Sequence, residues 1–144
     1  MTPQTDSPAL DDQLAYLVFR LTLGMNILVH GAGRIFGPGA EAFANTTAAE
    51  FTKTALPMSL VHAFLVVLPF AELALGVLTT LGLLTRWALT LGGLMITALV
   101  FGTAMRSDWT TVGVQMIYAI TYYLLLMNRS SNRFSLDAWL VERR

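Results

Sequence analysis

The chain has 144 residues, 55% of them hydrophobic and 12% charged, with nine basic residues balanced by nine acidic ones and a mean hydropathy of +0.61. Soluble domains carry about 25% charged residues, so this balance marks an integral membrane protein, and zero net charge argues against a nucleic-acid partner. The absence of cysteine excludes disulfides, thiolate nucleophiles, iron–sulfur ligation and thiol–disulfide exchange on this chain.

A single domain over residues 1–144 is expected from the length. The opening MTPQTDSPALDDQ has no basic residue before the first apolar run, so it does not read as a cleavable signal peptide. Four apolar spans follow, at about Leu14–Phe36, Ser59–Leu83, Trp87–Met105 and Val112–Met127. Each is close to the ~20 residues that cross a ~30 Å hydrocarbon core as a helix. Gly37–Pro57 reads as a long loop, Leu84–Arg86 as a tight turn and Arg106–Thr111 as a short polar turn. Short turns make neighbours antiparallel, so the fold class expected is an all-α integral membrane protein with an antiparallel four-helix transmembrane bundle. Gly24, Gly31, Gly76, Thr80, Ala98 and Gly102 offer small surfaces for close helix packing. After the last span, Ser135 suits an N-cap, and Leu136, Trp139 and Leu140 share a face. They predict a short C-terminal interfacial helix at about 135–143.

Four spans put both termini on one side. That side would hold Arg86, Arg129, Arg133, Arg143 and Arg144, with Arg20 near it; the other would hold Lys53 and Arg106, with Arg34 near it. The bias places the N- and C-termini in the cytoplasm and the chain in the cytoplasmic membrane as a multi-pass protein.

Polar residues inside the spans are the candidate site. Glu72 is the one carboxylate in Ser59–Leu83, and at that depth it costs about 2.5–3.5 kcal/mol on the insertion scale, so a partner or a function is expected. Asn26, His30 and Arg34 recur every four residues and share a face, to which Arg20 returns about four turns away. Counting depth from the predicted span ends makes Arg20 the expected partner of Glu72. The pair would either fix helix register or let Glu72 take and release a proton beside Arg20. His30 and His62 lie toward the outer ends of neighbouring spans, where a shared haem or metal is conceivable. No third ligand or ligand-spacing motif accompanies them, so hydrogen-bonded structural or proton-relaying roles are expected and no metal site is assigned. Gln115, Tyr118 and Tyr122 share a face of the fourth span. They serve either as aromatic belt and core packing, or, for Tyr118 with His30 and Glu72, as the lining of a quinone-headgroup cleft.

The run from Arg20 through Gly24, His30-Gly31 and Arg34 to Phe36-Gly37 resembles the opening helix of the DoxX family of small membrane proteins. Pro69-Phe-Ala-Glu72-Leu-Ala-Leu-Gly76, followed by Gly82 and Thr85-Arg86, resembles its second helix and turn, and Ser135-Leu-Asp137 is similar to its tail. The resemblance covers about Arg20 to Leu140 and implies a four-helix bundle in the cytoplasmic membrane. It also implies a redox link, because the wider group includes a subunit of thiosulfate:quinone oxidoreductase. In the long loop only Pro57 matches.

Two classes of function follow. In the first, the chain is a quinone-linked subunit of a redox or oxidative-stress system. Glu72, His30 and Arg20 would then be catalytic; Tyr118, Gln115, Arg34 and His62 would bind the cofactor, and electrons would come from a partner protein or a small reductant. In the second, it is a non-enzymatic membrane anchor or assembly component. A small proton-coupled transporter also fits an intramembrane carboxylate, without the broken helices and inverted repeats of that class. Expected partners are membrane lipid, a redox partner protein and further copies of the chain, with no nucleic acid.

Overall fold

The computed structural model describes residues 9–143, among which there is no β-strand. Residues 1–8, on which part of the signal-peptide reading rests, and Arg144, one of the arginines counted for orientation, lie outside the described residues. Among the described residues are six α-helices: α1 (Leu10–Phe36), α2 (Ala40–Ala48), α3 (Met58–Leu81), α4 (Thr85–Met105), α5 (Trp109–Met127) and α6 (Leu136–Glu142). Four of them, α1, α3, α4 and α5, are long and apolar enough to cross a membrane. They form an antiparallel ring in which α1 packs most closely on α3 and α4 on α5, with a looser seam between α5 and α1. Much of the outward surface is apolar, including Val18, Val67, Leu94 and Ile117. Trp87 and Trp109 are exposed near opposite ends of the bundle, as in the aromatic belts at lipid headgroups.

Local chemistry sets the helix ends. Asp11 and Asp12 in the first turn of α1 and Arg34 in its last complement the helix dipole, and α1 begins before the predicted Leu14. Asp108 caps α5 by accepting the Thr111 N–H at 3.1 Å, which starts that helix at Trp109 rather than Val112. Gly82, at φ +65°, ends α3 in the left-handed conformation. Leu84 adopts φ 48° to start α4. That costly backbone is held from the tail, because the Asp137 carboxylate accepts the Leu84 N–H at 2.8 Å and the Thr85 N–H at 2.7 Å. Ser135 caps α6 as its sequence predicts, accepting the Ala138 N–H at 3.2 Å.

The register between α1 and α3 comes from glycine. A Cβ on Gly24 would lie 2.6 Å from the Thr80 nitrogen, and one on Gly76 would lie 2.5 Å from the Leu28 Cα; one on Gly31 would collide with Leu73. Each step along α1 matches an equal step back along α3, so the backbones touch over several turns. The predicted small-residue seam is present here. On α4 it differs. Ala98 is exposed, Gly102 faces the Phe51 ring, and the close approach instead falls at Gly92, against the Tyr122 ring of α5.

Gly37–Pro57 is more than a loop. It contains α2 and a 3₁₀ turn at Ala49–Phe51. Ala44, Ala48 and Phe51 are buried, with Phe43 and Leu56 packed against the same core. Ala44, Ala48 and Phe51 recur at spacings of four and three, and their apolar face closes one end of the bundle.

Candidate functional site

At the α6 end, Arg20 is 2% exposed. Its Nη1 donates to the Thr79 and Thr80 carbonyls at 2.7 Å each, and its Nη2 donates to the Phe134 carbonyl at 2.7 Å. The last carbonyls of α3 have no intrahelical donor, so a guanidinium is well suited to them. The expected Arg20–Glu72 pair is therefore not formed. Continuing the glycine register puts Arg20 opposite Leu84, about three turns or ~18 Å of rise from Glu72. Depth counted from hydropathy boundaries hid this offset.

Glu72 pairs with Arg34 instead. Glu72 is 4% exposed, and its second carboxylate oxygen has no hydrogen-bond partner among the described residues. The Arg34 guanidinium also lies over the Phe43 ring, 4.6 Å from its centroid, joining α1, α2 and α3. The buried Tyr122 hydroxyl is likewise unpartnered among the described residues.

Beneath α2 is a cavity of about 380 Å³. Its walls are largely apolar, from Phe51, Leu65, Leu68 and their neighbours, with Arg34, Arg106 and Gln115 as polar points. Gln115 donates to the Thr103 hydroxyl at 3.0 Å, while its own Oε1 and the Arg106 Nε are buried and unpartnered among the described residues. Arg106 pairs with Glu50 beyond α2, sits 3.7 Å from Asp108 and lies over the Phe51 ring. A chamber of this size with a few convergent polar groups fits a small amphiphile.

The other predicted residues are divided between two places. Asn26, His30 and Arg34 line a groove on the outward side of α1. Tyr118 donates to Asn26 Oδ1 at 2.9 Å, closing the α5–α1 seam. His62 lies 3.0 Å from Asn45 and 3.2 Å from Glu41, so its ring ties α3 to α2. Of the predicted site, Glu72 and Arg34 come together and Gln115 shares the cavity with Arg34. His30 and Tyr118 face the groove and seam, and Arg20 is at the far end. Arg34 alone lines both groove and cavity. Arg106 and Phe51 escaped the sequence reading. The signal that could have found them is the α2 face, whose Phe43 and Phe51 need something to cover.

Comparison with curated proteins and with solved structures gives no match. The family model described as DoxX matches residues 15–104, from α1 almost to the end of α4. That stretch includes Arg20, His30, Arg34 and Glu72, and leaves α5 and the Asp137 cap outside it. With the match extending over more than half of a chain that has four membrane-length apolar helices, this multi-pass membrane protein belongs to the DoxX family.

Proposed function

We propose that the protein is the membrane subunit of a quinone-linked redox or oxidative-stress system, with the α2-capped cavity as the quinone-headgroup site. The observation that carries this reading is the buried Arg34–Glu72 pair beside an apolar chamber, with one carboxylate oxygen of Glu72 left unpartnered. A quinone needs an apolar slot, a few hydrogen bonds and a group that exchanges protons as it is reduced. Gln115 and Arg106 orient the headgroup, Arg34 holds Glu72 in place, and Glu72 exchanges the proton. His30, on the groove side of Arg34, relays protons between that groove and the pair. Electrons come from a partner protein or a small reductant, since the chain has no cysteine and no cluster of three or more metal-ligating side chains among the described residues. The excess of arginine at the α6 end supports a cytoplasmic location for both termini and insertion in the cytoplasmic membrane.

Organic extraction of the detergent-purified protein tests this. Quinone near one per chain is expected, with loss of most of it in Glu72→Gln or Gln115→Leu while the protein level stays normal. Wild-type protein that is well folded and free of quinone, and takes up none when offered it, would sink the reading. A second reading, a membrane assembly component, is favoured by Arg20, whose hydrogen bonds are all to backbone carbonyls and structural in kind. In that case Glu72→Gln would lower the amount of protein rather than its quinone content.

A further inference from the structure

We infer that the α2-capped cavity is filled from within the bilayer through a side opening between α3 and α4, and takes an uncharged amphiphile. Its head reaches the Arg106–Gln115 corner and its tail leaves through the opening. This deepens the proposed site: it rests on that cavity as a binding chamber, and a quinone is one ligand of the class.

Four lining residues face outward: Leu60 and Phe64 on α3, Ala98 and Phe101 on α4. Leu60 is 63% exposed and Phe101 58%. Phe64 and Ala98 lie roughly 10 Å in from the α2 ends of their helices, at the depth of acyl chains rather than of water. α3 and α4 are also less closely packed than α1 and α3. The α4 wall is low at this point because it is built from Ala98 and Gly102, and a Cβ on Gly102 would only touch the Phe51 ring, at 3.6 Å.

The polar end is covered. α2 and the turn after it lie across the chamber, held by the Arg106–Glu50 pair, the His62–Asn45 contact at 3.0 Å and Phe43 under Arg34. A ligand that reaches the chamber past exposed phenylalanines from the side is one dissolved in the membrane.

Charge selects its head. Arg34 is already paired with Glu72, and Arg106 with Glu50 and Asp108, so an anionic head meets no free cation. Beside the Thr103 and Thr111 side chains, the corner holds an acceptor, Gln115 Oε1, and a donor, Arg106 Nε, both buried without partners among the described residues. A neutral head with a hydroxyl or carbonyl satisfies both.

The test uses the full chain in phosphatidylcholine nanodiscs with two photoreactive probes, a decyl-tailed benzoquinone and a monoacylglycerol, each carrying a diazirine in its tail. Crosslinked peptides are mapped by mass spectrometry. Labelling should fall on residues 60–64 and 98–101 and be competed by the unlabelled compound. Ala98→Phe, a change at an exposed position, should reduce it at least about fivefold by crowding the opening. Val29→Phe, on the α1 groove, should not. Competed labelling by the monoacylglycerol alone would uphold the opening and count against the quinone. Competed quinone binding that Ala98→Phe leaves unchanged would overturn the opening and keep the quinone. Labelling spread evenly over the outer faces of all four helices without competition, or none, would overturn the inference.

Discussion

A charged side chain buried in a membrane bundle has to be read through its partners, and the two arginines of α1 have different ones. Arg20 supplies three hydrogen bonds to backbone carbonyls at the end of α3 and in the tail. Hydrogen bonds to charged groups are worth about 1.5–3 kcal/mol each in context, so Arg20→Ala should destabilise the protein by on the order of ~3 kcal/mol or more. Arg20→Lys should recover only part of this, because an ammonium cannot span acceptors on two segments. Thermal unfolding in detergent checks both, and a melting temperature unchanged in Arg20→Ala would show the clamp to be dispensable. Asp108 acts outside the spans. Its hydrogen bonds from Thr111 hold its carboxyl below the ordinary carboxylate range. A depressed folded-state value means the stabilisation is complete above the unfolded value near ~4 and is lost as pH falls through the folded one. The melting temperature of the wild type should therefore drop more steeply below about pH 4 than that of Asp108→Asn, which keeps a neutral cap.

Among the helices, the α1–α3 contact is the one that glycine makes possible. Gly76→Ile would drive a side chain into the backbone of Leu28 and should cost about 1–3 kcal/mol or more, with a shift in the Arg34–Glu72 register. Gly113 in α5 has nothing within 4 Å of the place a Cβ would occupy. Gly113→Ala should therefore stabilise the helix by up to about 0.5–1 kcal/mol. Measuring the two side by side separates packing from propensity, and similar effects for both would refute the close-contact account. The tail works at this scale too. The α3–α4 turn takes its cap from Asp137, far along the chain, so α6 is part of the bundle's closure.

For the molecule as a whole, a chain without cysteine lends itself to mapping its orientation. Lys53→Cys near α2 and Arg133→Cys near α6 are both at exposed positions. In intact cells a membrane-impermeant maleimide should label the first and reach the second only after permeabilisation. The reverse pattern would invert the proposed topology.

The four membrane-length helices, their antiparallel order, the α6 cap and the outward apolar surface were legible from hydropathy and turn length, since they depend on short stretches of chain. The polar residues inside the spans were legible one by one as groups that need partners, because a polar group at membrane depth is costly wherever it points. Their pairing was not. Arg20 and Arg34 are both on α1 at plausible depths, and the choice of Arg34 for Glu72 follows from Gly24, Gly31 and Gly76 locking the two backbones in one register. The α2 lid was hidden for a related reason. Its short apolar face has meaning only over the chamber that α3, α4 and α5 leave open. Sequence alone determined that this protein crosses a membrane four times and carries a buried carboxylate, because burial costs are local. Tertiary structure decided which arginine meets that carboxylate, which end of the bundle is lidded and which residues line the cavity, because those depend on the register and spacing between helices.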